Sequence, residues 1–214
     1  MTDRRKPQIS SRRQPQQARS EGLVAAILEA AVQVLAKEGA QRFTTARVAE
    51  KAGVSVGSIY QYFPNKAAIL FRLQSDEWRQ TSDLLGTILA DDRTPPLERL
   101  RRLVHAFLRS ECEEAAIRGA LNDAAPLYRD APEATEVRAA GRRAGEAFMR
   151  EVLPGVPDAA RDLAGHLVMT TLSEVGKSFS DQPRTAAEIE AYADALADML
   201  CAYLERAARG PGTG

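Results

Sequence analysis

The stretch from Ser55 to Lys66 reads Ser-Val-Gly-Ser-Ile-Tyr-Gln-Tyr-Phe-Pro-Asn-Lys, and its side chains suit contact with nucleic acid. Wound at 100° per residue, it sets Ile59 and Phe63 on one side and Gly57 and Gln61 on the other. Ser58, Tyr60 and Tyr62 flank the second face. A glutamine amide offers donor and acceptor side by side, which matches a base edge. Serine and tyrosine hydroxyls reach phosphate oxygens. Gly57 costs about 1 kcal/mol relative to alanine inside a helix, which implies a local requirement. Two candidates are close approach to DNA and close packing against the preceding helix. Lys66 stands at a helix start, where its charge opposes the dipole; a phosphate would offset that, and the free helix amides would help to hold it.

Other chemistries find little support. There is no Gly-rich phosphate loop, catalytic triad or paired-carboxylate motif. His105 and His166 lack Asp or Cys at ligand spacing and read as structural. Cys112 and Cys201 form no CxxC pair, and the carboxylates around Cys112 (Glu111, Glu113, Glu114) disfavour its thiolate. No metal, no cofactor and no enzymatic activity are expected.

A recognition face needs elements to hold it. Ser20 and Glu21 mark a helix start, and Val24, Ile27, Leu28, Ala31, Val34 and Leu35 form its apolar face up to Gly39. Thr44 caps a short helix with Val48, Ala49 and Ala52 inward, and Gly53 stops it. Ser55 caps the next helix, with Val54 and Ile59 as a hydrophobic staple. Pro64 ends that helix and Asn65 starts another. Two short helices on a tight glycine turn make a helix-turn-helix. Beyond Asn65, proline-marked breaks predict helices near 66–90, 95–118, 120–126, 133–153, 157–179 and 185–208. No stretch has the alternation of a strand, so the fold class is all-α: a three-helix head followed by a larger helical domain.

Charge sharpens the reading. The chain has 214 residues, 44% hydrophobic, with 29 basic and 29 acidic side chains. Residues 1–66 hold eleven of the basic and five of the acidic groups, so a basic first third precedes an acidic remainder. That asymmetry suits a polyanion partner, although a solvated charge pattern would look the same. Residues 1–19, rich in Arg, Gln, Ser and Pro, read as a disordered basic arm, and 210–214 as a flexible tail. No apolar run is long enough for a bilayer, and the N-terminus has no secretory pattern, so a reduced cytoplasmic protein with no membrane contact is expected.

Residues 24–70 resemble the DNA-binding domain of the tetracycline-repressor (TetR) family. The carrying residues are Ile27-Leu28-x-Ala30-Ala31, Phe43-Thr44-Thr45-x-x-Val48-Ala49 and Ala52-Gly53-Val54-Ser55-x-Gly57-Ser58-Ile59-Tyr60-x-Tyr62-Phe63-x-x-Lys66. The resemblance implies domains at 20–65 (DNA-binding) and 66–209 (ligand-sensing and dimerisation). It places Thr44, Thr45 and Arg47 at the DNA backbone. Ser55, Val56, Gly57, Ser58, Tyr60, Gln61 and Tyr62 form the recognition surface, and Lys66 holds a phosphate. Tyr62 stands where the family often has His.

The implied partners are a double-stranded, palindromic DNA operator, a second copy of the chain and a small-molecule ligand. The implied function is a repressor released from its operator by that ligand, which changes the separation of the two heads. An activator, a regulator without a ligand, a helical metabolite-processing enzyme with a DNA-binding head and a nonspecific nucleoid-binding protein are the alternatives. Trp78, His105, Phe107, Phe148, Met149 and Met169 are candidate ligand contacts, with ordinary core as their other reading. Leu163, Leu167 and Thr171, and Ile189, Leu196, Leu200 and Tyr203, form two stripes. In the family the last two helices pair into a four-helix dimer interface. Both stripes, or one of them, also fit an intrachain core.

Overall fold

The computed structural model describes residues 18–128 and 132–209, with the side chains at 18–19, 132–138, 140 and 141 outside that description. The expected basic arm and flexible tail lie outside it as well. Among the described residues there are nine α-helices and no strand. They are α1 (Ala18–Arg42), α2 (Thr45–Ala52), α3 (Val56–Tyr60), α4 (Lys66–Leu89), α5 (Pro96–Glu113), α6 (Ala115–Ala124), α7 (Pro132–Val152), α8 (Asp158–Ser180) and α9 (Ala186–Ala208).

Local signals set the short helices. Thr44 is extended, and its Oγ1 accepts the Arg47 amide at 3.3 Å to start α2. Gly53 takes the left-handed conformation at φ 67°, which costs a glycine nothing, and Val54 N–H closes onto the Ala49 carbonyl at 3.0 Å. Ser55 Oγ accepts the Ser58 amide at 3.0 Å and starts α3. Asn65 Oδ1 accepts the Ala68 amide at 2.9 Å and starts α4. Gly39 interrupts α1 as expected: at φ 73° and ψ 170° it leaves the helical conformation, and a further short helical stretch runs on to Arg42.

The chain divides into two compact units. Among the described residues the first comprises 18–78, 116–128 and 132–137, the second 79–115 and 138–209. The first unit packs Ile27, Leu35, Phe43, Val48, Ile59 and Phe63 into one almost fully buried core. Each such side chain contributes about 1.5–3 kcal/mol by leaving water. Residues 67–71 and Leu73, from the start of α4, join the same core, so that part of α4 belongs with the head. So do Leu121 and Ala124 of α6 and Tyr128 beyond it. The buried Tyr128 hydroxyl shares its one proton between the Leu121 carbonyl at 3.0 Å and Gln74 Oε1 at 3.3 Å; burial pushes the phenol well above its usual range. Arg118 pairs with Glu77 at 3.1 Å and ties α6 to α4.

The break expected between 118 and 120 comes earlier in the chain. It falls at Glu114, and α6 begins at Ala115. The reason is tertiary: Leu103, Val104, Phe107 and Leu108 serve the second core, whereas Ala120, Leu121 and Ala124 serve the first.

In the second unit α5 and α9 run antiparallel. Arg101 pairs with Asp198 at 2.5 Å, and Arg109 Nη2 donates to Glu190 at 2.7 Å. Between them both ring nitrogens of His105 meet carboxylates, Nδ1 with Glu190 at 2.9 Å and Nε2 with Asp194 at 3.1 Å. Buried Arg99 donates to the Leu89 carbonyl at the end of α4 and pairs with Glu151 of α7; its guanidinium lies 5.7 Å from the Phe148 ring centre. Thr185 and Glu188 cap α9 reciprocally, a full capping box.

Candidate nucleic-acid interface

Two caps and one glycine turn fix the geometry of α2 and α3. Ile59 is fully buried beneath α3. Ser55, Val56, Gly57, Tyr60 and Gln61 are exposed on its other side, and Ser58 is half-buried, with its hydroxyl 2.8 Å from that of Ser55. The face therefore offers an amide, a phenol, two hydroxyls and one position without a side chain.

Gly57 separates its two candidate explanations. A Cβ added there would meet only Ser55 Oγ, at 3.7 Å, an ordinary van der Waals contact. No neighbouring helix requires glycine at this position. Packing among the described residues therefore does not account for a glycine here.

Two expected contacts are mostly buried. Thr45 and Tyr62 are only 8% exposed and turn inward. Gln61 stays right-handed helical and the Phe63 amide bonds the Ile59 carbonyl one turn back, so Tyr62 keeps its place at the border of the face, beside buried Ile59 and Phe63. Thr45 is the first helical residue of α2, and its side chain joins the buried set there. Thr44 is exposed, Lys66 is half-buried, and among the described residues Lys66 has no ion-pair partner. Arg47 is held: its Nη1 donates to Glu38 Oε2 and to the Arg42 carbonyl. Glu38 was invisible to motif reasoning because it lies outside the matched positions.

Trp78 packs against the first core, whereas Phe107, Phe148 and Met149 are buried in the second. Met169 points outward, 47% exposed. His105 is committed to two α9 carboxylates. Burial pushes the Cys112 thiol up, and Glu111 and Glu113 add to that shift against Arg184. Among the described residues no group of three or more His, Cys, Asp and Glu side chains is placed to hold a metal, and no helix is long and apolar enough to cross a membrane.

The two stripes have opposite fates. On α9, Leu196 and Leu200 are buried, and Ile189 and Tyr203 pack beside them, so this stripe is intrachain core. On α8, Leu163 is 65% exposed and Leu167 is also exposed, with Thr171 half-buried. The outer face of α9 carries exposed Tyr192 and Met199, at the spacing of two turns. Met199 was not expected there, because the buried stripe on the same helix has more apolar residues.

The family model described as bacterial regulatory proteins, tetR family, matches residues 27–73. The model described as tetracyclin repressor-like, C-terminal domain, matches residues 95–207. The chain is 39% identical over 83 residues to the nucleoid occlusion factor SlmA of Vibrio campbellii, covering 38% of this chain and 42% of that protein. It is 40% identical over 81 residues to the HTH-type transcriptional regulator TtgR of Pseudomonas putida, covering 37% and 38%. These matches span about two-fifths of the length of each relative. FadR of Bacillus subtilis, solved in complex with stearoyl-CoA, superposes with a TM-score of 0.63 at 18% identity over 83% of this chain and 97% of that one. That likeness is one of fold.

Proposed function

Because the chain belongs to the tetracycline-repressor family of bacterial regulators, we propose that it is a sequence-specific DNA-binding transcriptional regulator. It acts as a homodimer on a palindromic operator in the cytoplasm and is released by a small molecule. The observation that carries the DNA-binding part is the exposed face of α3. Gln61 and Tyr60 stand there beside Gly57, which has room for a methyl group within its own unit and is still glycine.

In this reading Gln61 reads a base edge, Thr44, Tyr60 and Lys66 meet backbone phosphates, and Arg47 supplies a guanidinium at the start of α2. Exposed Leu163, Leu167, Tyr192 and Met199 on α8 and α9 form the dimer face. A two-fold dimer reads two half-sites about one helical turn, or a multiple of it, apart. A ligand acts through a coupling free energy between its site and the DNA head. The stearoyl-CoA complex of the Bacillus subtilis relative in fold supports a small-molecule input. The family supports a regulator rather than an enzyme.

The test is selection of duplexes from a random pool by the full-length protein, with sedimentation to read the stoichiometry. Enrichment of an inverted repeat bound by two chains supports the proposal. Binding of all duplexes alike overturns the sequence-specific reading and favours a nonspecific nucleoid-binding role.

A further inference from the structure

Glu38 has no place in the motif, yet it holds the arginine that the motif aims at DNA. Arg47 Nη1 donates to Glu38 Oε2 and, at 3.0 Å, to the Arg42 carbonyl. The Arg47 amide is fixed to Thr44 Oγ1 at 3.3 Å. Among the described residues Arg47 Nε and Nη2 have no hydrogen-bond partner. The guanidinium therefore commits one nitrogen to the protein and leaves free the Nε/Nη2 edge, which can form paired bonds to a phosphate. Glu38 lies one residue before the Gly39 bend and within 3.9 Å of Arg42 Nε as well, so its carboxylate faces two guanidinium groups from a half-buried position.

We propose that Glu38, with the Arg42 carbonyl, holds Arg47 in the orientation in which it meets a DNA phosphate. Glu38 is then a positioning residue of the DNA head, acting through Arg47; this rests on the DNA-binding reading above. A side chain fixed before DNA arrives has less freedom to lose on binding. The fixed pair also sets where along the backbone that phosphate must lie, so Glu38 contributes to register as well as to affinity.

The sign of one substitution separates this role from its opposite. A carboxylate close to DNA repels every duplex, so removal of a bystander or of a competitor for Arg47 raises affinity. Removal of a positioning group lowers it.

The experiment measures binding of the full-length protein to a duplex selected by the wild type from a random pool and to a mixed-sequence duplex of equal length. Glu38→Ala is expected to weaken binding of the selected duplex about tenfold, the size of one charge-assisted hydrogen bond. Glu38→Met keeps the length, lacks the acceptor and gives the same loss, which covers an alanine variant that fails to fold. Glu38→Gln retains an oxygen for Nη1 and recovers most of the affinity. In an Arg47→Ala background Glu38→Ala adds no further loss, because the two act as one unit. Unchanged or tighter binding by Glu38→Ala and Glu38→Met overturns the proposal, as does an undiminished loss in the Arg47→Ala background. A wild type that selects no duplex overturns the DNA-binding reading itself; a wild type that selects one while Glu38→Ala binds as tightly overturns the positioning role alone.

Discussion

A Cβ built on Gly176 of α8 would lie 2.6 Å from Phe107 Cε1 on α5 and 3.2 Å from Glu111 Cγ. The two helices approach as closely as they do because Gly176 has no side chain. The Phe107 ring is buried in the second core and has little room to turn aside. Gly176→Ala gains about 1 kcal/mol of helix propensity but forces overpacking that costs about 1–3 kcal/mol. The expected result is a net loss of stability, read by urea denaturation. Phe107→Leu in the same chain should relieve the clash, so the double variant should lose less than the two single losses combined.

Gly57 gives the opposite balance. Its Cβ would clash with nothing in its own unit. Gly57→Ala should therefore leave stability unchanged or raise it by up to about 1 kcal/mol. Binding to the selected duplex should fall all the same, because the added methyl group occupies the side of α3 that approaches DNA. Thermal melting and fluorescence anisotropy on one sample read both quantities. A variant that melts lower and binds as well as the wild type would reverse both signs.

The head was legible in the sequence because its signals are local. Thr44, Gly53, Ser55 and Asn65 each act within four residues, and each does in the structure what its type implies. Where burial decides, the sequence was ambiguous. Tyr62 flanks the exposed face by helical phase, at its border with Ile59 and Phe63, and only packing assigns it to the core. Leu196 and Leu200 fit either an interface or a core, and only packing against α5 and α8 assigns them to the core. The break after Glu113 carries no proline or glycine, since it is set by which of two cores each side chain enters. Arg47 was legible as a cation, but its tie to Glu38 across the Gly39 bend was not.

The same distinction predicts two outcomes for charges on α8 and α9. Leu163→Glu or Met199→Glu places a charge on an exposed apolar face, and should give folded monomers. Leu200→Glu buries a charge without a partner, and should unfold the second unit rather than dissociate a dimer. Sedimentation separates dimer from monomer, and circular dichroism separates monomer from unfolded chain. Folded dimers from both Leu163→Glu and Met199→Glu would remove this face from the interface.

Acid should weaken α9 through two carboxylates. Glu190 is held below its ordinary value of 4.5, first by Arg109 and then by His105. Glu188 is held below the same value by the amide and hydroxyl of Thr185 in the capping box. A carboxylate whose pKa falls on folding contributes stability that is complete above its unfolded value and is lost as pH drops through the folded one. The loss should therefore begin near the ordinary carboxylate range and continue below it. Glu190→Gln should melt lower than the wild type at pH 7, and the two curves should converge as pH falls towards 3. A gap that stays constant with pH would assign the Glu190 effect to packing and not to charge.

Gln61 and Lys66 should fail in different ways, and the difference tests the assignment of the whole face. Gln61 is exposed on α3, where an amide can pair with one base edge and carries no charge. Gln61→Ala should cost about 1–3 kcal/mol on the selected duplex, little on a mixed-sequence duplex, and leave the dependence on salt unchanged. Lys66 begins α4 without an ion-pair partner among the described residues, so its charge is available to a phosphate. Lys66→Ala should weaken both duplexes alike and reduce the slope of log affinity against log salt by about one unit for each phosphate no longer neutralised. Anisotropy titrations of both variants at several salt concentrations supply every quantity needed. If Gln61→Ala flattens the salt slope while Lys66→Ala changes base preference, the two residues have been given each other's roles and α3 is not seated as argued. If neither variant differs from the wild type, the duplex is held by another surface of the protein. That result would be at odds with Gly57, which no packing within its own unit explains.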